Sequence, residues 1–514
     1  MQRLGGIPMH TAPHARRWLL AATILGSGMA FIDGTVVNVA LPALQRAFGA
    51  DVRAAQWVVE SYALLLAALL LVGGAAGDRY GRRRVFLAGV ALFGVASAAC
   101  GASATIGQLI AARAVQGVGA ALLVPGSLAI ISAAYDGDER GKAIGTWSGW
   151  TAITAALGPV IGGYLVENLS WRYAFLINVP LALLVAWMTV RHVPESHDDA
   201  APARLDWPGA LLASAGLGLL VYGLIEAPQR GWADAAIAGA LAGGTLLLAV
   251  FVVVEWRGAA PMLPLALFRS LDFTGANLLT LFLYGALGGG LFFLPLNLIQ
   301  VQGWSATAAG AALVPFTVLM FTFSRYVGTL ADRHGPRPLL VAGPAVAAAG
   351  FALLAWPGIG GAYWNTFLPG VLVLGSGMTL AVAPLTTTVM NAVPGHQSGI
   401  ASGVNNAVSR AAALLAIAVL GIVMSRGFDA ELARRLHAAP LPDEVRREVY
   451  AQKARLGAIV PPAGLDGAGR RHVEAAVHEA FVAGFRHVMW VSAGLALLSA
   501  GCAGLLIGRS RTQH

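Results

Sequence analysis

Residues 74–83 of this chain read Gly74-Ala-Ala-Gly-Asp78-Arg79-Tyr-Gly81-Arg82-Arg83, a motif that returns 254 residues later. The second copy, at 328–337, reads Gly328-Thr-Leu-Ala-Asp332-Arg333-His-Gly335-Pro336-Arg337. A second pair of matching segments lies at nearly the same offset: Gly117-Val-Gly119 with Pro125, and Gly375-Ser-Gly377 with Pro384. Two matches at one offset predict a duplicated chain with two similar halves.

Composition indicates that lipid is the main solvent of this chain. Of its 514 residues, 57% are hydrophobic and only 11% are charged, and the mean hydropathy is +0.69. Soluble domains carry about 25% charged residues. The net charge of +9 comes from short Arg clusters between apolar stretches, which indicates membrane topology rather than nucleic-acid binding. The two cysteines, Cys100 and Cys502, both lie in apolar segments, so neither a disulfide framework nor a cysteine metal site is expected.

The number of spans follows from the length of the apolar stretches. A spanning helix needs about 20 mostly apolar residues, and an even number of spans puts both termini on one side. If that side is the cytoplasm, the inside segments hold seventeen Arg and Lys residues and the short outside loops hold only four, so cytoplasmic termini are predicted. The fourteen predicted spans are 17–38, 57–77, 85–102, 107–131, 146–166, 173–191, 207–226, 234–255, 273–296, 307–328, 338–356, 363–385, 400–424 and 487–508.

Fourteen spans in a duplicated chain divide into two bundles of six and a central pair. The predicted units are a first bundle at 1–200, two linking spans at 201–257 and a second bundle at 258–514. The second bundle includes a long charged external loop, 425–486, which is either a lid or partner-docking element or a solvated helical hairpin. The helical stretches expected within this loop are 429–438, 443–456 and 468–485.

The motif at 74–83 follows the second span and resembles the loop 2–3 signature of the major facilitator superfamily, whose fold is built from parallel six-helix repeats. Asp78 can pair with an Arg or cap a helix end, and glycines allow close approach and a tight turn. The resemblance implies a conformational gate that opens and closes with the two halves, while the Arg cluster also anchors the loop in the cytoplasm. The residues assigned to this gate are Gly74, Asp78, Arg79, Gly81, Arg82, Arg83, Asp332, Arg333 and Gly335.

Three further segments are similar to the fourteen-span drug:proton antiporters of that superfamily. Residues 31–42 resemble the first-span motif, residues 113–119 the proton-linked motif of span four, and residues 171–180 the segment that follows span five. The resemblance covers essentially the whole chain. It implies an all-α integral membrane protein of the major facilitator fold, with fourteen transmembrane helices and export driven by the proton gradient.

Span five carries small residues that resemble the antiporter motif associated with exporters. Glycines permit close helix packing and a proline permits a local bend. The resemblance implies a gate that prevents proton leak, and the alternative is packing alone. The residues of this motif are Gly149, Gly158, Pro159, Gly162 and Gly163.

Ionisable groups inside spans are candidates for function, because a charge there costs roughly 2.5–3.5 kcal/mol or more. Asp33, Glu60 and Arg113 lie in three different spans, all within roughly 10 Å of the outer boundary, so they could share a cavity. We expect Asp33 to carry protons beside Arg113, the alternatives being a cap or a structural pair. Glu60, near the membrane edge, is either an attractor of cations or a solvated rim charge. The position that corresponds to Arg113 in the second half is Val371, which predicts one proton path rather than two.

Several other polar residues of the spans are candidates, and for Arg410 function and structure weigh about equally. Arg410 in span thirteen follows two asparagines, a pattern common in the family. Glu226 and Glu255 lie at span ends, where we expect them to be solvated. The remaining candidate polar sites are Asn38, Gln116, Asn405, Asn406 and Arg410.

These features together predict a proton-driven exporter of small hydrophobic or cationic compounds in a bacterial inner membrane. A dedicated exporter of one native metabolite on the same fold is the nearest alternative. An intramembrane enzyme would need a cluster of catalytic residues, and we find none at catalytic spacing. A sensor or scaffold would show decayed motifs, whereas the gate, span-one and span-five motifs are intact. The sequence contains neither an ATP-binding Gly-x-x-x-x-Gly-Lys-Ser/Thr loop nor a His-Glu-x-x-His helix, so no cofactor or metal is expected. Expected partners are the substrate, protons and the lipid bilayer; a periplasmic adaptor and an outer-membrane channel remain open.

Overall fold

The computed structural model describes residues 13–135, 137–198, 205–258, 261–394 and 398–508, which form helices and no strand. The α-helices in chain order are α1 Pro13–Phe48, α2 Val52–Tyr80, α3 Arg82–Ala102, α4 Ile106–Ala134, α5 Gly137–Asn168, α6 Tyr173–Leu176, α7 Asn178–His192, α8 Trp207–Arg230, α9 Ala235–Arg257, α10 Leu271–Leu296, α11 Ala306–Ala311, α12 Val314–His334, α13 Pro336–Leu354, α14 Phe367–Asn391, α15 Ser398–Ala438, α16 Asp443–Ala451 and α17 Gly467–Leu506.

The prediction of fourteen spans is confirmed, since fourteen described helical segments are long and apolar enough to cross a membrane. Several helices are longer than the predicted apolar stretches. α1, expected to leave the membrane near residue 38, continues through Pro42 to Phe48. α15 and α17 are 41 and 40 residues long. At 1.5 Å per residue each reaches about 60 Å, twice the hydrocarbon thickness of about 30 Å.

The long ends of α15 and α17 build a cap on one side of the bundle. The helical stretches expected at 429–438, 443–456 and 468–485 are confirmed by the end of α15, by α16 with the 3₁₀ turn Lys453–Ala458, and by the start of α17. We call this side the cap face, and the opposite side, where residues 13 and 508 lie, the terminal face. The cap has an apolar core and is more than a solvated hairpin; its buried side chains include Phe428, Leu432, Leu436, Val449, Val473, Val477 and Phe481.

The packing repeats along the chain in the way the duplicated motifs predict. A Cβ on Gly119 of α4 would lie 2.7 Å from the backbone nitrogen of Phe93 in α3. A Cβ on Gly377 of α14 would lie 2.4 Å from the backbone nitrogen of Ala347 in α13. Phe93 and Ala347 are 254 residues apart, the offset of the duplicated motif. The same close helix contact therefore recurs in both halves.

The linking helices α8 and α9 form an antiparallel pair beside the two bundles. α8 packs against α2 of the first half and α15 of the second, whereas α9 packs mainly against α8. Glycines let the pair approach closely: a Cβ on Gly244 would lie 2.8 Å from the backbone nitrogen of Leu220. The domain boundaries near 200 and 258 stay predictions, because 199–204 and 259–260 lie outside the described residues.

Side chains join the two halves at the cap face. The Nε2 of Gln300, just after α10, donates to Oε1 of Gln45 in α1 at 2.8 Å. The hydroxyl of Thr307 in α11 donates to Glu167 at the end of α5 at 2.6 Å. Gln300 also lies against the cap, since a Cβ on Gly457 of the 3₁₀ turn would lie 2.7 Å from its Oε1.

The backbones of the two halves also meet at the cap face and separate toward the terminal face. A Cβ on Gly163 of α5 would lie 2.4 Å from the carbonyl oxygen of Ala306 in α11. Four turns earlier along α5, a Cβ on Gly149 would find its nearest neighbour in the ring of Phe321, at 3.9 Å. Along α5, the contact between the halves is therefore closed at the cap face and looser toward the terminal face.

Candidate functional site

A fully buried ion pair joins α1 to α4 in the first half. The side chain of Asp33 is 0% exposed and that of Arg113 is 1% exposed, and the Nη1 of Arg113 contacts the Oδ2 of Asp33. Burying two charges costs several kcal/mol per ion unless further hydrogen bonds satisfy them. The surroundings of this pair therefore decide whether it can exist in the ionised form.

Two amides complete the hydrogen bonding of the Asp33 carboxylate. Nε2 of Gln116 donates to Oδ1 at 2.8 Å, and Nδ2 of Asn178, the first residue of α7, donates to the same oxygen at 3.1 Å. Gln116 also accepts from Arg113 at 2.7 Å and donates to Ser97 in α3 at 2.9 Å. Side chains of α4 and α7 thus bond directly to the carboxylate on α1, and Ser97 of α3 supports Gln116.

Arg113 is also held by groups of α2. Its Nε donates to the carbonyl oxygen of Val58 at 3.0 Å, and its guanidinium lies over the ring of Tyr62 at 4.2 Å from the centroid. A cation over an aromatic face is stabilised by roughly 0.5–2 kcal/mol. The contact with α2 is close because Gly117 lets the backbones approach: a Cβ there would lie 2.4 Å from the carbonyl oxygen of Tyr62.

The structure does not bring Glu60 into this site. Glu60 lies on α2 between Val58 and Tyr62, yet both of its carboxylate oxygens lack a hydrogen-bond partner among the described residues. Its side chain is 0% exposed, so the interpretation as a solvated rim charge is wrong in this conformation. The predicted depth was compatible with burial, but neighbouring α2 residues point in different directions because a helix turns by 100° per residue.

The antiporter motif of α5 has one face on α1 and another on the second half. A Cβ on Gly158 would lie 2.0 Å from Oγ1 of Thr35, two residues from Asp33 along α1. A Cβ on Gly162 would lie 2.7 Å from a methyl group of Val36 in the next turn. The predicted close packing is confirmed for these two glycines.

The opposite face of the motif contacts α11. A Cβ on Gly310 of α11 would lie only 2.1 Å from the carbonyl oxygen of Pro159, and Gly163 faces Ala306 as described above. Gly149 lies outside these contacts, nearer the terminal face. One short segment of α5 therefore touches both the helix that carries Asp33 and the second half of the protein.

The first copy of the gate motif is held inside its own bundle. Asp78 forms the predicted ion pair, with Arg82 at 2.7 Å. Gly81 has φ +107°, a conformation that favours glycine, and a Cβ there would lie 2.7 Å from a carboxylate oxygen of Glu195. The backbone nitrogen of Arg83 donates to the same carboxylate at 3.0 Å. The loop is thus fixed to the segment that follows α7.

The remaining gate residues lie at the terminal face. Gly74 packs against Pro125 of α4, and Arg79 lies over the ring of Tyr80. In the second copy, Gly335 has φ +78°, so both copies turn at a glycine of positive φ. Arg333 is exposed, whereas the side chain of Asp332 lies outside what the structure describes.

The candidate asparagines of α15 lie beside a small polar cavity of about 90 Å³. Asn405 donates to Oγ1 of Thr280 at 2.7 Å and to Asn277 at 3.2 Å, so it ties α15 to α10. Asn406 is exposed and bonds only to its own helix, at Ser402. The cavity is lined by hydroxyl and amide groups and apolar side chains: Tyr284, Leu385, Thr386, Val389, Ser402, Asn405, Asn406 and Ser409.

Four other sequence candidates form no hydrogen bond to Asp33 or Arg113 among the described residues, although Arg410 interacts electrostatically with Tyr62 of that site. Arg410 is half-buried in α15, and the Oδ1 of Asn38 has no hydrogen-bond partner among the described residues. The expectation that Glu226 and Glu255 are solvated is wrong. Glu226 pairs with Arg53 at 2.6 Å, and Glu255 is buried and accepts from the backbone nitrogen of Leu263. Both carboxylates fasten the ends of the linking helices.

Sequence reasoning missed Asn178, Ser97 and Tyr62 as parts of the Asp33 site. Asn178 is the most informative omission, because it begins α7 after the one-turn helix α6 and donates directly to Asp33. Its signal was available: it is a lone amide within the apolar stretch that follows the Trp171–Arg172 turn. Within the described ranges no three His, Cys, Asp or Glu side chains cluster closely enough to hold a metal ion.

Fourteen spanning helices in two repeated halves, with one sealed charged site, define a polytopic membrane transporter. A family model described as the Major Facilitator Superfamily matches residues 23–417. The chain therefore belongs to the major facilitator superfamily.

Relatives of known name support this assignment over almost the whole chain. The multidrug resistance protein Stp of Mycobacterium tuberculosis is 36% identical over 487 residues, covering 92% of this chain and 88% of that protein. The tetracenomycin C resistance and export protein of Streptomyces glaucescens is 34% identical, covering 95% and 91%. The puromycin resistance protein of Streptomyces alboniger is 35% identical, covering 84% and 87%.

Solved structures share the fold at low sequence identity. A bacterial homologue of the human lysosomal transporter Spinster, in an inward-facing and occupied conformation, has a TM-score of 0.69 at 18% identity and covers 96% of this chain and 97% of its own. The xylose transporter XylE of E. coli, in an inward-open conformation, has a TM-score of 0.57 at 16% identity and covers 97% and 98%. These likenesses show the fold alone.

Proposed function

We propose that this protein exports small hydrophobic or cationic compounds across a bacterial inner membrane in exchange for protons. The observation that carries the proposal is the buried contact of Asp33 with Arg113, completed by Gln116 and Asn178. The named relatives, which are resistance and export proteins, support export rather than uptake. A sealed, reversible ion pair is the kind of group that can exchange a proton once per transport cycle.

We place the terminal face in the cytoplasm, following the excess of Arg and Lys on that side. The cap then projects into the periplasm. In this orientation the structure, closed at the cap face, corresponds to an inward-facing conformation. A periplasmic adaptor and an outer-membrane channel remain candidate partners, and the cap is the part of the chain that would meet them.

In the proton step, Asp33 alternates between an ionised form that is paired with Arg113 and a protonated form. When it is ionised it accepts hydrogen bonds from Arg113, Gln116 and Asn178, which is the arrangement seen here. When a proton arrives from the periplasm, the neutral carboxyl no longer balances the Arg113 charge, and the contact between α1 and α4 weakens. Each proton that crosses the membrane supplies about 2.3 kcal/mol per 100 mV, enough for a roughly 50-fold gradient of an uncharged substrate.

The antiporter motif gives this step a route to the second half. Gly158 and Gly162 pack on α1 within one turn of Asp33, while Pro159 and Gly163 pack on α11. A shift of α1 on protonation therefore presses on α5, and α5 transmits it to the contact that closes the cap face. The glycines act through packing: bulkier side chains would hold the helices apart and let protons leak.

The gate residues at the terminal face serve the opposite half of the cycle. In the inward-facing conformation the loop of Asp78 and Arg82 is fixed to the end of its own bundle. When the terminal face closes, each copy of the motif approaches the opposite half of the protein, and the two copies hold the halves together. The second copy contributes Asp332, Arg333 and Gly335 in the same way.

Glu60 and the polar residues of α15 have separate proposed roles. Glu60 is a buried carboxylate without a described partner, which suits the attraction of a cationic substrate once the cavity opens. Asn406 of α15 presents an exposed amide beside the small polar cavity, whereas Asn405 ties α15 to α10 and Arg410 lies half-buried in the same helix. Asn38 offers a free carbonyl oxygen in α1.

Efflux of a fluorescent dye tests the proposal. Cells or inverted vesicles with wild type or Asp33→Asn are loaded with ethidium, with and without a protonophore. We expect energy-dependent efflux by wild type, and its loss with either the substitution or the protonophore. If a folded, membrane-inserted wild type moves no dye, the protein is instead a dedicated exporter of one metabolite, or a sensor or scaffold on a transporter fold. Metabolite accumulation in a deletion strain separates those two.

A further inference from the structure

A cavity of about 190 Å³ lies at the cap face where the two halves and the linking pair meet. Its walls come from the start of α2, the end of α8, the outer part of α15 and the 3₁₀ turn after α16. Roughly 10–15 Å³ by this measure holds one water, so the cavity has room for a polar group of many atoms. Nothing in the proton step uses it.

The lining changes from apolar to charged along the membrane normal. Toward the membrane interior it is formed by Leu224 and Ile225 of α8 and by Ile422 of α15. One to two turns further out, Arg426 and Lys453 line the cavity mouth. This sequence of apolar and then charged groups matches a membrane lipid, which has its acyl chains in the hydrocarbon and its headgroup at the surface.

The charged groups at the mouth differ in how far their hydrogen bonds are satisfied. Arg53 forms ion pairs with both Asp51 and Glu226, and Lys453 bonds to Asp429 at 3.0 Å. Arg426 is exposed and has no carboxylate partner among the described residues. It lies 5.8 Å from the centre of the Trp232 ring, and tryptophan is enriched at membrane interfaces.

We propose that this cavity binds the phosphate headgroup of an anionic phospholipid from the leaflet at the cap face. Arg426 is the headgroup ligand, because a guanidinium presents parallel N–H donors that match two phosphate oxygens. The apolar wall below receives the start of the acyl chains, whereas the charge of Lys453 is already balanced by Asp429. Asp429 lies about one turn beyond Arg426 on α15 and keeps one carboxylate oxygen without a partner among the described residues, which disfavours an anion further out and places the headgroup at Arg426 itself.

The site also depends on the conformation of the protein. Nε2 of Gln56 in α2 donates to the carbonyl oxygen of Ile417 in α15 at 3.0 Å, directly beside the cavity. Opening of the cap face separates α2 from α15 and dismantles this wall. A bound lipid therefore favours the closed cap face, because a ligand shifts an equilibrium toward the state that binds it better. This consequence rests on the proposed transport cycle, whereas lipid binding itself does not.

Lipid binding by the purified protein tests the proposal without any transport measurement. Detergent-solubilised protein is titrated with dimyristoyl phosphatidylglycerol, dimyristoyl phosphatidylcholine and glycerol 1-phosphate, and bound lipid is counted by native mass spectrometry. We expect one phosphatidylglycerol to be retained preferentially, and Arg426→Gln to weaken its binding by roughly tenfold or more. Arg471→Gln, which removes an exposed arginine of the cap outside the cavity, is the matched control and should bind as wild type does.

Each other outcome overturns the proposal in a specific way. Equal retention of phosphatidylcholine would show no recognition of net negative charge. Competition by glycerol 1-phosphate at the same concentration as the lipid would show a site for a soluble anion. Equal losses in Arg426→Gln and Arg471→Gln would show only general surface attraction. If Arg426→Gln does not fold, Ser425→Trp provides the second test. The tryptophan fills the cavity and leaves Arg426 in place, so it must abolish the preferential retention of phosphatidylglycerol.

Discussion

Oγ1 of Thr35 occupies the space where Gly158 has no side chain: a Cβ at Gly158 would lie 2.0 Å from that oxygen. Thr35 is two residues from Asp33, and Gly158 is one residue from Pro159, whose carbonyl meets α11 of the second half. This contact therefore lies between the charged site and the closed cap face. Any change that widens it should affect both stability and coupling.

We predict that Gly158→Ala destabilises the protein by about 1–3 kcal/mol, the usual cost of overpacking a tight contact, and uncouples efflux from the proton gradient. Gly145→Ala in the same helix is the control, because a Cβ there meets nothing within 4 Å. It should be neutral or slightly stabilising, since alanine is the better helix former. Thermal unfolding in detergent measures the first effect and protonophore-sensitive efflux the second. Equal behaviour of the two variants would contradict this role of the α1–α5 contact.

A second prediction concerns the turn of the gate loop. Gly81→Ala places a side chain at φ +107° and against Glu195, so we expect a loss of about 1–2 kcal/mol from the backbone and a further loss from the contact. Gly231→Ala has a similar φ of +90° with open space around it, so it should show the backbone loss alone. The difference between their unfolding temperatures isolates the contact with Glu195. No difference would mean that Glu195 simply moves aside.

Much of the fold could be predicted because a bilayer sets the length of a span and a duplicated motif sets its repeats. The cap could not. Leu432, Val449 and Phe481 lie in charged stretches, and their spacing indicates amphipathic helices without saying which apolar faces meet. Only the tertiary structure shows that α15 and α17 continue about 30 Å beyond the membrane and enclose these apolar side chains.

The candidate site was predicted in part for a similar reason. The scarcity of charge inside spans identified Asp33 and Arg113, and the structure brings them together. The same reasoning placed Glu60 at their depth, but depth along a helix does not give the direction in which a side chain points. Asn178 was missed because an uncharged amide costs less to bury than an ion and stands out less in the sequence.

A third prediction concerns closure of the cap face. Gln45→Cys with Gln300→Cys, in a chain whose native cysteines are replaced by serine, places thiols at the two ends of a hydrogen bond between the halves. A cleavable bifunctional maleimide across this pair should abolish efflux by holding the inward-facing conformation, and reduction of the linker should restore it. The control is a pair within the second half, Gln302→Cys with Gly358→Cys, joined in the structure by a 2.9 Å hydrogen bond. Full efflux by the cross-linked Gln45–Gln300 pair would contradict alternating access at this face.

A fourth prediction separates the two buried carboxylates of the first half by substrate. Glu60→Gln removes a carboxyl group outside the Asp33 site that is buried without a described partner here and can ionise once the cavity opens, so we expect weaker transport of the cation ethidium and little change for an uncharged substrate. Competition between ethidium and a neutral dye in loaded cells measures the ratio. If both substrates lose transport equally, Glu60 is not a cation attractor.

The most direct test of the central claim is proton movement driven by substrate in proteoliposomes. A pH-sensitive dye inside the vesicles reports protons exchanged when ethidium is added, for wild type, Asp33→Asn and Glu60→Gln at matched protein content. The account predicts proton exchange with wild type and a reduced but present signal with Glu60→Gln. It predicts none with Asp33→Asn, which should still exchange ethidium down its own gradient. Substrate-driven proton exchange by a folded Asp33→Asn protein would contradict the claim that Asp33 carries the proton.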